Sequence, residues 1–178
     1  GEANNVDATV ACPMRAGDQA GLCHGFTWTP GSGGFAGVWW QNPDGNWGDG
    51  PGLLIAEGAT KVTFWAWGAT GGEVVKFLAG YPSDGFERDS GEITLTTTPT
   101  EYSVNLIGAD YTDVAGGFGW VTAAGGVTFY VDDITWTNDT GGEVLGCTDP
   151  NANNYDDTAT VDDSSCEYDR ASLPFVVD

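Results

Sequence analysis

The residues best suited to chemistry in this chain are its tryptophans and the amide and amine side chains near them. Eight tryptophans in 178 residues exceed what a small core needs, and a buried indole N–H requires a polar partner. We therefore expect some of them to be exposed, where an aromatic face can stack on a sugar ring while neighbouring amides bind its hydroxyls. Core packing remains the alternative for each tryptophan. The predicted carbohydrate-binding residues are Trp39, Gln41, Asn46, Trp47, Trp65, Trp67, Lys76 and Trp120.

Catalytic constellations are hard to assemble from the other side chains. His24, the single histidine, directly follows Cys23, which leaves little freedom for a Ser–His–Asp or Cys–His arrangement. A glycosidase needs only two carboxyl groups roughly 5 to 10 Å apart, but 26 acidic residues allow any pair to be nominated. We therefore predict no enzyme activity, with a glycoside hydrolase or polysaccharide lyase as an alternative.

The charge balance restricts the class of partner. Five Lys and Arg against 26 Asp and Glu give a net charge of −21, and this field repels phosphate backbones and anionic lipids. No apolar run approaches the roughly 18 residues of a membrane span. We expect neither nucleic acid binding nor membrane insertion, and a neutral polysaccharide is favoured over uronic or sulfated polymers.

The four cysteines form two local pairs, Cys12 with Cys23 and Cys147 with Cys166. Neither pair has the spacing or the neighbouring histidines of a zinc site. Two short-range disulfides are therefore predicted, with free buried thiols as the alternative. Since disulfides persist in oxidising compartments, we expect a secreted or cell-surface protein.

Short alternating runs bounded by Gly, Pro, Asp and Asn predict strands, whereas helical periodicity is almost absent. From Lys61 to Trp67, alternation places Val62 and Phe64 on one face and Trp65 and Trp67 on the other. The pattern predicts an all-β fold, an antiparallel β-sandwich. The predicted strands are Gly37 to Gln41, Lys61 to Trp67, Glu73 to Leu78, Glu92 to Thr97, Tyr102 to Ile107, Gly117 to Thr122 and Val127 to Trp136.

A shift in composition after Trp136 predicts a second, smaller unit. The β-sandwich should occupy residues 1–137 and a linker residues 138–145. A Cys-bounded, loop-rich acidic unit should occupy residues 146–168, and residues 169–178 turn apolar again, as a tether to a further module would. We thus expect a monomeric piece of a larger multimodular chain.

Six motifs lie in the first three quarters of the chain: Phe35 to Pro43, Asn46 to Gly48, Val62 to Gly68, Gly72 to Phe77, Gly116 to Trp120 and Thr128 to Ile134. They resemble those of extracellular carbohydrate-binding modules of the jelly-roll, galactose-binding-like kind. The resemblance implies a jelly-roll sandwich and a glycan bound on the concave sheet or the end loops. One departure is Ala66-Trp67, because many relatives have Ala-Arg there, which puts a basic sugar contact in doubt.

The same resemblance implies a structural calcium ion where the start of the chain meets the closing strand. Asp132 and Asp133 are adjacent acids in an otherwise apolar strand, which is costly without a counter-ion. With Glu2, Asp7 and backbone carbonyls they would supply the oxygen ligands that calcium prefers. A pair of solvated acids at a strand end is the alternative.

The segment from Gly146 to Tyr168 is similar to thrombospondin type 3 repeats. Its acids and amides recur at every second residue, as in a calcium loop, although Asn154 and Thr160 depart from the EF-hand pattern. A disulfide-closed acidic spacer without metal is the alternative. The candidate ligands are Asp149, Asn151, Asn153, Asp157 and Asp162.

Together these observations predict a non-catalytic module that binds a neutral polysaccharide, laminarin-like or another β-glucan or a mannan. Such a module would target a larger secreted enzyme or surface protein to its substrate. A calcium-dependent adhesion or structural domain, in which the aromatics only pack, is the main alternative.

Overall fold

The computed structural model describes residues 1–17, 23–55, 58–138, 145–159, 161–162 and 164–168. Short turns at Gly, Pro and Asn separate the strands, and two 3-10 helices, Ala3–Asn5 and Pro82–Asp84, interrupt them. The strands are β1 (Val6–Val10), β2 (His24–Trp28), β3 (Ala36–Gln41), β4 (Leu53–Leu54), β5 (Lys61–Gly68), β6 (Val74–Ala79), β7 (Arg88–Thr94), β8 (Thr100–Asn105), β9 (Asp113–Val114), β10 (Gly116–Thr122), β11 (Val127–Thr137), β12 (Leu145–Gly146) and β13 (Val161–Asp162).

Two antiparallel sheets form the sandwich. The first sheet has the order β1-β2-β11-β5-β8 and the second sheet the order β3-β10-β6-β7. Alternate residues of each strand point between the sheets, where aromatic rings interlock: Phe64 and Phe77 have ring centroids 4.5 Å apart, and Trp120 and Phe129 5.0 Å. The predicted all-β antiparallel sandwich is therefore confirmed.

Most predicted strands are present within a few residues, but β2 was not foreseen from its sequence. Its five residues include Gly25, and an added Cβ there would come within 2.5 Å of the Val10 carbonyl oxygen. The strand exists because β1 and β11 both pair with it. Likewise β7 begins at Arg88 rather than Glu92, since Arg88 pairs with Ala79 of β6. Pairing across strands, not side-chain alternation, sets these boundaries.

The chain divides into two compact units, Gly1–Asn138 and Asp139–Asp178. The predicted disulfides Cys12–Cys23 and Cys147–Cys166 are both present. Residues 139–144 of the predicted linker and the whole predicted tether 169–178 lie outside the described residues. Within the described ranges, no helix combines the length and the apolar character needed to cross a membrane.

Arg15, in the loop closed by Cys12 and Cys23, is buried against the closing strand β11. Its Nε lies 3.1 Å from Asp132 Oδ2, and Nη2 contacts the Asp133 carboxylate. The guanidinium also lies 4.3 Å from the centroid of the Trp65 ring. Because the register of β11 shifts after Asp132, both carboxylates reach the same cation. Arg15 thus supplies a positive charge to both acids, and the calcium ion predicted at Asp132 and Asp133 remains a prediction.

The other two predicted ligands of that calcium site are engaged locally. The Glu2 carboxylate accepts the Gly31 N–H at 2.6 Å, and this bond holds the pKa of Glu2 below its usual value. Asp7 accepts the Thr9 hydroxyl at 2.7 Å and the Thr9 N–H at 2.8 Å, which lower its pKa in the same way. Among the residues that the structure describes, no three His, Cys, Asp or Glu residues form a group able to hold a metal ion. Calcium binding by Glu2, Asp7, Asp132 and Asp133 remains a prediction.

Replacing Arg15 with Gln is expected to destabilise the sandwich by about 3–5 kcal/mol, because it leaves two buried carboxylates without their cation. Urea unfolding of the chain measures this loss. Arg88→Gln is the matched control, since within the described residues the Arg88 guanidinium donates only to the carbonyl of the exposed Glu87. Equal losses in both variants would contradict a special role for Arg15.

Candidate functional site

The outer face of the second sheet carries the strongest candidate site. On β3, alternation turns Trp40 inward and Trp39 outward. The pairing register then places Trp39 beside Gly119 of β10, and Gly119 beside Leu78 of β6. We call this surface the outer face; it also includes Gln41 and Lys76, which alternate outward on their strands.

Glycines in β10 allow the Trp39 ring to lie over the sheet. A Cβ built on Gly119 would lie 2.7 Å from the Trp39 ring, and one on Gly116 would lie 3.2 Å from it. Any larger residue at Gly119 would therefore lift the indole from the backbone. The ring is packed on one side and only half-buried, which is the arrangement of a fixed aromatic platform.

Tyr81 and Trp47 extend this platform from the end of the sheet. The Trp39 and Tyr81 ring centroids are 5.5 Å apart, and those of Trp47 and Tyr81 are 5.8 Å apart. Trp47 is 54% exposed, the largest exposed fraction of any tryptophan in the described chain. We call Trp39, Tyr81 and Trp47 the aromatic cluster. Sequence reasoning missed Tyr81, because it lies in a turn after β6 and carries no pattern of its own.

The loop that carries Tyr81 is fixed by Asp84. The Asp84 carboxylate accepts three backbone N–H groups, those of Tyr81 at 2.9 Å, Ala115 at 2.8 Å and Gly116 at 3.1 Å. These bonds join the Tyr81 turn to the start of β10, beside the Trp39 ring. Three hydrogen bonds to one carboxylate hold two separate segments in register, so the tyrosine ring has a defined position.

Asn46 has the same role in the loop that carries Trp47. Its Nδ2 donates within 3.0 to 3.2 Å of the carbonyls of Asn42, Gly50 and Pro51, and its Oδ1 accepts the Gly48 N–H at 2.9 Å. Only 8% of Asn46 is exposed. The Asn46 amide is therefore engaged by the backbone of the loop, which gives the residue a structural role here, and its predicted contact with sugar remains a prediction.

Lys76 is the cation of the outer face. Its Nζ lies 3.8 Å from Asp89 Oδ2, and both side chains remain more than a third exposed. The register also places Glu92 opposite Lys76. Because the pair is exposed to solvent, it contributes little stability, and its donors and acceptors remain accessible to hydroxyl groups.

The structure separates the other predicted tryptophans from this face. Trp120 has no exposed surface and packs between the sheets against Phe26 and Phe129, so its predicted exposure is wrong. Trp65 and Trp67 lie on the outward side of the first sheet, on the opposite face of the sandwich. Arg15 covers Trp65, and only 3% of Trp67 is exposed. All three residues pack against other side chains in this structure, and sugar binding by them remains a prediction.

The acidic C-terminal unit uses its carboxylates to stabilise turns. Asp149 accepts the Asn151 N–H at 2.9 Å and the Tyr168 hydroxyl at 2.7 Å. The Asn151 bond is the main reason that the pKa of Asp149 is lowered, and the bond to Asp149 raises the pKa of Tyr168. Asp162 accepts the Ser164 N–H at 3.0 Å. The other candidate ligands of this unit are Asn153 and Asp157, and calcium binding there remains a prediction.

Comparisons with known proteins give structural similarity only. No family model and no curated protein matches the chain. A solved family 30 carbohydrate-binding module is similar at 18% identity, covering 80% of this chain and 79% of that one, with a TM-score of 0.47. A family 29 module solved with cellulohexaose has 12% identity, covers 76% of this chain and 82% of its own, and has a TM-score of 0.42. At these values the functional assignment depends on the geometry of the outer face.

We expect Asn46→Asp to destabilise the Trp47 loop, because a carboxylate oxygen would replace the donor that faces three carbonyls. Unsatisfied buried groups typically cost about 1–3 kcal/mol. Thermal melting followed by tryptophan fluorescence measures the effect. Asn42→Asp is the control, because it introduces the same charge at an exposed position of the same loop. Equal melting temperatures of the two variants would contradict the role of Asn46 in holding the loop.

Removing calcium is expected to lower the melting temperature of the C-terminal unit if its acids bind the ion, since a ligand of the folded state stabilises it by about 2.7 kcal/mol at a hundredfold excess over Kd. Calorimetry with and without a strong chelator measures this change. An unchanged transition, in protein shown to be calcium-free by elemental analysis, would contradict the prediction.

Proposed function

We propose that the outer face of the second sheet binds a neutral polysaccharide without catalysis. The observation that carries this proposal is the aromatic cluster, in which the half-exposed Trp47 packs against Tyr81 and Tyr81 packs against Trp39. Aromatic faces bury the C–H surface of sugar rings at a low cost in side-chain entropy, because their positions are already fixed.

Polar groups on the same face supply hydrogen bonds to hydroxyls. Gln41 follows Trp39 on the outward side of β3, and Lys76 lies with Asp89 on the neighbouring strands. The net charge of −21 opposes uronic or sulfated chains. A neutral glucan or a mannan therefore suits the face better than an anionic polymer does.

The alternative, an adhesion or structural domain in which the aromatics only pack, is disfavoured by Trp47. A packed aromatic residue would be buried, whereas 54% of Trp47 is exposed and the hydrogen bonds of Asn46 stabilise the loop that presents it. Natural proteins retain such exposed, rigidly held aromatic residues at binding surfaces.

The two disulfides favour a place for this module outside the cytoplasm. We propose that it serves a secreted or surface protein of several modules and holds that protein on its substrate. Binding without catalysis means that incubation with a bound polymer releases no new chain ends.

Trp47→Ala should weaken polysaccharide binding by about 1–3 kcal/mol, as the loss of an interface anchor does, while the melting temperature changes little. Affinity electrophoresis against laminarin, cellulose derivatives, mannan, alginate and carrageenan finds the ligand, and calorimetric titration measures the loss. Ile107→Ala, which removes a 65% exposed side chain from the turn after β8, is the control. Unchanged affinity with a collapsed melting transition would assign Trp47 to structure.

A further inference from the structure

Residues 13–15 lie across the outward side of the first sheet, between the end of β1 and the start of β2. We call this segment the strap. Pro13 and Met14 line a depression of about 310 Å³ together with Trp67 and Tyr130 of the sheet. The strap therefore covers part of the surface that β5 and β11 form.

Arg15 is the buried anchor of the strap. Met14 is 80% exposed, whereas the Arg15 side chain is only 6% exposed. Its guanidinium contacts the carboxylates of Asp132 and Asp133 and lies over the Trp65 ring. Apolar contacts contribute little to this segment, and one cluster of charges holds it on the sheet.

A buried cluster of charges is a weak anchor unless the chain keeps its members in place. Taking these ions out of water is costly, and their attraction offsets the cost only when the geometry is fixed. Cys12 lies three residues before Arg15, and its disulfide partner Cys23 is 11 positions further along the chain. This covalent link limits the conformational freedom that the strap would gain on leaving the sheet.

From these contacts, we propose that the Cys12–Cys23 disulfide is a redox lock for the strap. While the disulfide is intact, Arg15 stays on the two acids and the strap covers the sheet. When a dithiol reduces the disulfide, the strap leaves the sheet and Arg15 becomes accessible. The closed state then belongs to oxidising compartments, and a reducing compartment opens the strap.

The exchange reaction needs only the dithiol as its reductant. One thiolate of the dithiol attacks a sulfur of the Cys12–Cys23 bond, and the other cysteine leaves as a thiolate that takes up a proton. The second thiol of the reagent then attacks the mixed disulfide and releases the first cysteine as a thiol. The dithiol ends as a cyclic disulfide, and its two electrons and two protons reside on the two cysteines.

Opening of the strap leaves the interior of the sandwich intact. Among the described residues, none of residues 12–17 belongs to the hydrophobic core between the two sheets. Water reaches Asp132 and Asp133 once the strap has left, so opening does not strand a buried charge. Local opening of this kind needs less free energy than global unfolding does.

The test is limited proteolysis with trypsin, followed by mass spectrometry, before and after treatment with a dithiol. Cys147→Ser with Cys166→Ser leaves Cys12–Cys23 as the single disulfide of the full chain. Cleavage after Arg15 should become at least about tenfold faster on reduction, because proteolysis follows the population of the open state. Cleavage after Arg88, which lies in β7 of the second sheet, is the internal control and should not change.

Cys12→Ser with Cys23→Ser, in the otherwise wild-type chain, should be cleaved after Arg15 at the fast rate without any dithiol. If removal of the other disulfide alters the melting transition, the same digest is made on the wild-type chain, because both scored bonds lie in the sandwich.

Each other result would overturn the lock. Equal cleavage after Arg15 in the oxidised and reduced protein would mean that the charges hold the strap without the disulfide. Faster cleavage after both Arg15 and Arg88 would mean that reduction unfolds the whole sandwich. Resistance of the Cys12→Ser, Cys23→Ser protein to trypsin at Arg15 would exclude the disulfide as the cause.

Discussion

The contact between the Trp39 indole and the bare backbone of β10 is the constraint on which the candidate site depends. Gly116 and Gly119 leave the space that the ring fills, and a side chain at Gly119 would meet it at 2.7 Å. With Trp39 held in this way, Tyr81 packs against its edge and Trp47 against Tyr81. The positions of all three aromatic rings therefore depend on the absence of side chains at these two glycines.

The loops at the end of the sheet are held by polar side chains that bind backbone groups. Asp84 joins the Tyr81 turn to β10, and Asn46 closes the Trp47 loop on itself. The polar groups of both side chains are engaged by backbone groups, and both side chains hold the exposed aromatic residues in position. A preorganised surface of this kind loses little conformational entropy on binding, which compensates for its modest polar contacts.

On the opposite face of the sandwich, an arginine side chain balances two neighbouring negative charges. Asp132 and Asp133 require a positive charge, as the apolar context of their strand indicates. Arg15 provides this charge and also covers the ring of Trp65. A strand whose sequence is rich in tryptophan therefore contributes to packing on this face. Trp120 also serves packing: it is fully buried, although its Nε1 has no hydrogen-bond partner within the described residues.

By itself, the sequence determined the all-β class and the two disulfide pairs, because alternation, turn composition and cysteine spacing are local properties. Tertiary structure alone decided which tryptophans share a surface. Trp39 and Trp65 both lie in alternating strands, and only sheet pairing places them on opposite faces of the sandwich. The same holds for Tyr81 and for Arg15, because their roles depend on residues far away in the chain, and no local pattern encodes a contact of that kind.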